Sequence, residues 1–496
     1  MMQVETAALM ASSGVKFGTS GARGLVTDMS DLVCYAYTLA FLSYLEEQCV
    51  ISKGVEVAVA GDYRASSPRI MAAVGLAIKQ AGFEPVSCGF VPTPALALYA
   101  IKRGIVGIMV TGSHIPDDRN GIKFYKPEGE ILKADELGMC SRLVSVDSLL
   151  FDEKGFLLES FVWKKETTEA YAEFVRRYVD FFPKNCLKGK RIGVYEHSSV
   201  ARELLCETMK ELGAEVFALG RSDTFIPVDT EAVREEDVLL AKQWSAEYDL
   251  DCIVSADGDG DRPLVSDENG VWLRGDVAGI ICASFLAADV VVVPVSCNSA
   301  VEKSGLFEAV ARTKIGSPFV IEAMKPYLKD KGPLVVVGYE ANGGFLTATT
   351  ITVNGQNLTA LPTRDAMIVP LTILMASITR KLSISALMQT LPQRFTSSGR
   401  IQNFPIELSA EHLTALQTGQ EDVDKQAAQA LFATLLGDIA KVDITDGVRM
   451  TGSSGEVLHL RPSGNAPELR CYTEASTQMR ADEIKEQGLL LLAGWL

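Results

Sequence analysis

The sequence predicts an α/β protein in which alternation of strand and helix starts three times, followed by a closing segment of different character. Three observations carry this. Short apolar runs bounded by Gly, Pro, Asn and Asp alternate with stretches of helical apolar spacing, and the pattern breaks near residues 165 and 274 and changes after 390. Length is the third, since 496 residues exceed what one hydrophobic core sustains. The expected domains are 1–165, 166–274, 275–390 and 391–496.

In the first domain, helical spacing over 32–46, 70–81 and 94–103 alternates with strands over 55–60, 85–88 and 105–110, which predicts parallel β-α-β units. Before them, Lys16-Phe17-Gly18-Thr19-Ser20-Gly21-Ala22-Arg23-Gly24 lets backbone N–H groups approach an anion while Arg23 supplies a planar fork. Without Walker or GxGxxG spacing, that run is either an anion site or a plain flexible loop. The strand over 105–110 ends in Thr111-Gly112-Ser113-His114, where ligands collect at a sheet edge. Ser113 is the candidate nucleophile, with His114 beside it. Asn120-Gly121 predicts a tight turn from which Lys123 returns toward the same pocket. The charged stretch 152–168 predicts a domain boundary.

In the second domain, helices over 169–182 and 201–212 and strands over 191–195 and 215–218 lead to an apolar strand ending in Asp257-Gly258-Asp259-Gly260-Asp261-Arg262. Three carboxylates at alternate positions converge on one hard cation because the glycines between them remove crowding. A calcium EF-hand fails, since Arg262 stands where that loop needs glycine and a strand, not a helix, enters it. Mg2+ completed by a phosphate oxygen and water fits, and Arg262 suits the phosphate.

The third domain predicts helices over 277–288, 300–313 and 318–329, strands over 290–295 and 333–337, and a closing helix over 367–379. Its second strand opens into Gly338-Tyr339-Glu340-Ala341-Asn342-Gly343-Gly344. Glu340 and Asn342 offer an acceptor and a donor to vicinal sugar hydroxyls, or simply close a hairpin. Lys314 adds a cation nearby in sequence. In the last segment a strand meets Arg461-Pro462-Ser463-Gly464-Asn465, with Arg470 beyond, which is either a second anion cluster or a salt-bridged hairpin.

A net charge of -16 repels phosphate backbones and anionic lipid, so no nucleic-acid or membrane partner is expected, and an anionic substrate needs local cations. Ten scattered cysteines without CxxC pairs look like free thiols of a reducing, cytoplasmic compartment. Residues 277–297 are long enough to span a bilayer, but Asp289 and Pro294 interrupt them, so no span is expected. Monomer and homodimer both stay open.

These stretches resemble, in the same order and across nearly the whole chain, the motifs of the α-D-phosphohexomutase family, which includes phosphomannomutases, phosphoglucomutases and phosphoglucosamine mutases. The resemblance implies three similar α/β domains with mixed sheets and a C-terminal TATA-binding-protein-like α+β domain around a central cleft. It also implies that Ser113 works as a phosphoserine, that Asp257, Asp259 and Asp261 with the Ser113 phosphate hold Mg2+, and that Lys123 shuttles the sugar hydroxyl's proton. Arg262 and Arg23 match active-site arginines. Glu340 and Asn342 are implied to grip sugar hydroxyls, and Arg461, Ser463, Gly464, Asn465 and Arg470 to hold the non-transferred phosphate. The sequence departs from the family at Ile115, where asparagine is usual, at Asn465, where threonine is common, and at Gly344, where many relatives have histidine.

The implied activity is reversible phosphoryl transfer between C1 and C6 of a hexose phosphate through a hexose 1,6-bisphosphate. Mannose 6-phosphate to mannose 1-phosphate is the first expectation, because the Glu340 loop lacks variants associated with glucosamine or strict glucose enzymes. Phosphoglucomutase and phosphoglucosamine mutase activities are the alternatives, and a sugar-phosphate sensor without turnover is the non-enzymatic one.

Overall fold

A computed structural model describes residues 2–18, 21–329, 334–462 and 467–496. Two compact units form, Met1–Asp289 with Gly316–Leu387, and Val290–Ile315 with Met388–Leu496.

The larger unit begins with a sheet ordered Lys16–Phe17, Ala22–Leu25, Arg119–Lys126, Val106–Val110, Glu56–Gly61, Glu84–Ser87, with Gly129–Glu130 beside Arg119–Lys126. Glu56–Gly61 pairs in parallel with both Glu84–Ser87 and Val106–Val110, as the alternation predicts, since helices Ser67–Gln80 and Thr93–Arg103 supply the crossovers. Proline in the first turn starts both helices, and Gly104, at φ 62°, ends the second in the left-handed cap a glycine takes without strain. The apolar core of this layer includes Phe41, Phe124, Ile108 and Val110.

The direction then reverses. Val106–Val110 pairs antiparallel with Arg119–Lys126. Cys252–Ala256, parallel to Arg191–Tyr195, pairs antiparallel with Pro263–Val265. Val336–Tyr339 pairs antiparallel with Phe345–Thr347, which pairs antiparallel with Leu361–Asp365. The sheets are therefore mixed, as the resemblance implied, and the parallel strands that the alternation predicts each lead into a hairpin. Each hairpin tip is one of the loops singled out from sequence.

The smaller unit holds the parallel pair Val290–Pro294 and Ala309–Thr313 and a five-stranded antiparallel sheet ordered Phe395–Gln402, Glu468–Ala475, Val457–Pro462, Val448–Gly452, Ile439–Asp443. Helices Glu421–Leu436 and Gln478–Ala493 pack on it over a core that includes Phe432, Leu458 and Ile484. This is the α+β character expected of the last segment.

Two local expectations are corrected. Residues 300–313 are not one helix: Ala300–Lys303 is helical, Gly305 turns at φ 63°, and Ala309–Thr313 is a strand because Val290–Pro294 offers it a ladder. Asn120-Gly121 is no turn but lies inside a strand. Asn120 donates to the Ser66 and Ser67 hydroxyls, and a Cβ on Gly121 would stand 2.7 Å from the Ala22 carbonyl oxygen. In the stretch 152–168, Phe161 and Trp163 rings cover Gly75 of helix Ser67–Gln80. Among the described residues no helix is long and apolar enough to cross a membrane.

Candidate active site

Ser113 sits at the first hairpin tip with φ 57°, a left-handed conformation that costs a residue with a Cβ roughly 1–2 kcal/mol. Buried polar groups hold it there. Ser113 N donates to Thr111 Oγ1 at 2.7 Å, and Thr111 Oγ1 donates to Asp62 Oδ2 at 2.7 Å. Arg64, fully buried, donates to the carbonyl oxygens of Ser113 at 2.9 Å, Ile115 at 2.6 Å, Pro116 at 2.7 Å and Arg119 at 2.9 Å. Its Nε pairs with Asp62 Oδ2 at 3.1 Å, and its guanidinium lies 3.9 Å from the centre of the Phe225 ring. A Cβ on Gly112 would stand 2.7 Å from Arg64 Cζ, so glycine is what lets the guanidinium lie under the loop.

The second tip meets the first. Ser113 Oγ donates to Asp257 Oδ2 at 2.7 Å, across 144 residues of sequence. Gly258 makes the approach possible, because a Cβ there would stand 2.8 Å from the Ser113 carbonyl oxygen. Asp257, Asp259 and Asp261 are buried, and one carboxylate oxygen from each lies within 4.8 Å of the others. Lys123, buried on the return strand of the first hairpin, places Nζ 2.6 Å from Asp259 Oδ2 and 2.6 Å from Asp261 Oδ2. Thr93 also donates to Asp259 Oδ2.

Charge around this cluster is far from neutral groups in water. Burial, with repulsion from Asp259 and Asp261, pushes the Asp257 carboxyl up to about 8. Burial opposes ionisation of Asp261 too, but Arg364, Lys123 and Arg262 outweigh it and hold that carboxyl below its ordinary range. His114 accepts from Arg262 Nη1 at Nε2 (3.5 Å), which leaves Nδ1–H to face Ser113 Oγ at 3.3 Å. Burial, then the Arg262 and Arg23 charges, hold its imidazole far below the ordinary range, so it is neutral. Burial lowers Arg23 to about 10, with Arg262 the next cause.

Four buried atoms of this cluster lack hydrogen-bond partners among the described residues: Nε of Arg23, Nε of Arg262, Oδ1 of Asp259 and Oδ1 of Asp261. Orphaned donors and orphaned acceptors in one site fit an anion and a cation bound together. A divalent ion suits the aspartates, whose oxygens are hard donors.

The third tip adds Glu340 and Asn342, both buried. Asn342 Oδ1 accepts from Gly344 N at 2.9 Å, and Glu340 Oε2 accepts from Arg364 Nη1 at 3.1 Å. Arg364 also donates to Asp261 Oδ2 through Nε at 3.1 Å and Nη2 at 2.8 Å. The structure thus brings together Ser113, His114, Lys123, Arg23, Arg262, the three aspartates and Glu340.

The smaller unit carries the remaining candidates. Asp446 Oδ1 accepts from Arg461 Nε at 3.0 Å and Asp446 Oδ2 accepts from Ile315 N at 3.0 Å, so one carboxylate ties the Lys314 loop to Arg461. Arg470 lies 3.8 Å from Glu468. Ser463, Gly464 and Asn465 fall outside the described residues.

Sequence reasoning missed Arg64, Asp62, Thr93 and Arg364. Arg64 stands just beyond the apolar strand Glu56–Gly61 and Arg364 lies inside strand Leu361–Asp365, and a buried arginine in either place demands partners. That demand was the available signal.

The chain matches the family described as phosphoglucomutase/phosphomannomutase over its alpha/beta/alpha domain I at residues 14–143, its alpha/beta/alpha domain III at 274–395 and its C-terminal domain at 414–489. It is 45% identical to a phosphomannomutase of Salmonella muenchen, covering 96% of this chain and 95% of that one. A phosphomannomutase of Sinorhizobium fredii is 42% identical, over 97% of this chain and 99% of the other. A phosphoglucosamine mutase of Clostridium botulinum is 27% identical over 94% and 96%. The solved structure of a phosphoglucomutase/phosphomannomutase family protein from Burkholderia thailandensis has the same fold, with a TM-score of 0.72 at 20% identity and 98% of each chain covered. Such identity along nearly the full length of both chains, with the three family segments in order, means that the chain belongs to the phosphoglucomutase/phosphomannomutase family, the α-D-phosphohexomutases.

Proposed function

We propose that the chain interconverts mannose 6-phosphate and mannose 1-phosphate through a phosphoserine at Ser113 and a hexose 1,6-bisphosphate. The observation that carries this is the set of orphaned buried charges beside Ser113: two arginine donors and two carboxylate acceptors that a phosphoryl group and a divalent cation together would satisfy. Similarity at 45% and 42% to phosphomannomutases, against 27% to a phosphoglucosamine mutase, supports mannose as the sugar.

Phosphoryl passes from Ser113 Oγ to the free O1 or O6 of the sugar: the P–Oγ bond breaks as the new P–O bond forms, and the hydroxyl proton leaves. The bisphosphate then returns its other phosphoryl to Ser113, so the cycle needs no further co-reactant. Arg23 and Arg262 are proposed to stabilise charge on the group in flight. Asp257, Asp259 and Asp261 with the Ser113 phosphate would hold Mg2+, which supplies neutralising charge when bound. Lys123 Nζ is the proposed relay, giving a proton to the released Ser113 Oγ as it takes the one the sugar hydroxyl loses. His114, kept neutral, instead orients Ser113 Oγ from Arg262. Glu340 and Asn342 are proposed to grip sugar hydroxyls, and Lys314, Arg461, Ser463, Gly464, Asn465 and Arg470 to hold the phosphate that stays on the sugar.

Intact-mass measurement tests the reading. The purified protein incubated with hexose 1,6-bisphosphate should gain one phosphoryl adduct that Ser113→Ala lacks, together with turnover of mannose 1-phosphate that the variant loses. Full turnover in Ser113→Ala sinks the mechanism. Comparing kcat/KM for mannose, glucose and glucosamine 1-phosphates assigns the sugar.

A further inference from the structure

Arg364 lies in none of the stretches singled out from the sequence, yet it occupies the junction of two of the three hairpin tips. It sits on strand Leu361–Asp365, which pairs with the return strand of the third hairpin. Its guanidinium spans from Glu340 Oε2, at 3.1 Å, to Asp261 Oδ2, at 2.8 and 3.1 Å. All three side chains are buried. Space for it comes from Gly344, where a Cβ would stand 2.6 Å from Arg364 Cγ and 3.0 Å from Asn342 Oδ1.

The bridge has two consequences. Asp261 Oδ2 receives Lys123 and two Arg364 donors, so the rotation of that carboxylate is fixed and Oδ1 is left as its unpartnered oxygen. Glu340 has one oxygen engaged by Arg364, which fixes the plane in which the other is offered. A planar fork can hold two carboxylates at once, and a lysine head cannot do so with the same geometry.

We propose that Arg364 is a positioning residue for sugar selectivity: it locks the Glu340 carboxylate to the Asp261 carboxylate, so the sugar-facing loop and the cation-facing loop are set in one fixed relation. The proposal rests on the mutase reading above. It separates two properties of the guanidinium, its charge beside the aspartates and its fork.

Arg364→Lys keeps the charge and loses the fork; Arg364→Gln loses both. The KM for mannose 1-phosphate should rise about tenfold in each, the effect of a lost hydrogen bond to a charged group, with kcat changed less than about threefold. Selectivity for mannose over glucose 1-phosphate should fall at least about threefold in both. Mn2+ binding to the metal-free proteins, followed by titration calorimetry, should be near wild type in Arg364→Lys and roughly fivefold tighter in Arg364→Gln, because a competing positive charge has gone from Asp261. A residue that merely supports the fold would weaken both sugar and ion binding. Wild-type protein that turns over neither sugar phosphate sinks the mutase reading. Normal wild-type turnover with unchanged selectivity in both variants, or weaker Mn2+ binding in Arg364→Gln, overturns the role of Arg364.

Discussion

Replacing Arg64 by lysine should disable the enzyme without touching a group that meets substrate. The guanidinium makes five hydrogen bonds, to Asp62 Oδ2 and to the carbonyl oxygens of Ser113, Ile115, Pro116 and Arg119. A lysine ammonium has three donors, so at least two of the five acceptors lose their partner in a site where Arg64 itself is 1% exposed. At roughly 1–3 kcal/mol for each buried group left unsatisfied, the loss is about 2–4 kcal/mol after partial relaxation. The left-handed Ser113 backbone, itself worth roughly 1–2 kcal/mol of strain, then has less to hold it and relaxes away from Asp257. A displacement near 1 Å at a reacting group costs about a hundredfold in rate. The expectation for Arg64→Lys is therefore kcat down about a hundredfold, KM little changed, and denaturant stability lowered by about 3 kcal/mol. Amide exchange at residues 113–119 should accelerate while the Phe41 core stays protected. A variant with wild-type kcat and normal exchange in that loop would falsify the clamp.

Gly258→Ala places a Cβ 2.8 Å from the Ser113 carbonyl oxygen and 2.7 Å from Phe225 Cζ, so the two loops must part; kcat should drop at least about tenfold, and an unchanged rate would mean the loops do not need that approach. His197 gives a pH signature. Its Nε2 lies 2.8 Å from the Ala256 carbonyl oxygen, Nδ1 has no partner among the described residues, and burial lowers it from 6.5 to about 4. The unfolded chain then binds the extra proton first, so this contribution is complete above pH 6.5 and is lost as pH falls toward 4, by up to about 3 kcal/mol. His197→Asn, which tolerates the backbone φ of 26°, should flatten the stability slope between pH 6.5 and 4 in urea titrations; an identical slope refutes the assignment.

The residues proposed to carry the chemistry were legible because each lies in a short run whose composition is costly without a ligand. Asp257, Asp259 and Asp261 repel one another, and Ser113 follows an apolar strand, so local sequence alone marks them. Arg64 and Arg364 escaped for the opposite reason. Asp62 lies two residues from Arg64, but the carbonyl oxygens Arg64 clamps lie 49 to 55 residues away, and the carboxylates Arg364 bridges lie 24 and 103 residues away. Nothing local encodes that separation. Strand direction was illegible in the same way. Apolar runs announce strands, but the return of Arg119–Lys126 and Pro263–Val265 antiparallel to their predecessors depends on pairing that periodicity does not specify.

That reversal is what assembles the site. Had residues 119–126 led into a crossover helix, Lys123 would have been carried away from the sheet edge; as a return strand it faces Met109 in register and reaches the aspartates of the second hairpin. The same device recurs three times, and each tip carries a glycine at its closest approach. Gly112 lies over Arg64, Gly258 over the Ser113 carbonyl, and Gly344 over Arg364, with a Cβ standing at 2.7, 2.8 and 2.6 Å respectively. Side chains at these positions would force the tips apart and open the gaps through which Ser113 reaches Asp257 and Arg364 reaches both Asp261 and Glu340. The glycines therefore act through packing between loops, and their loss should disturb catalysis more than stability.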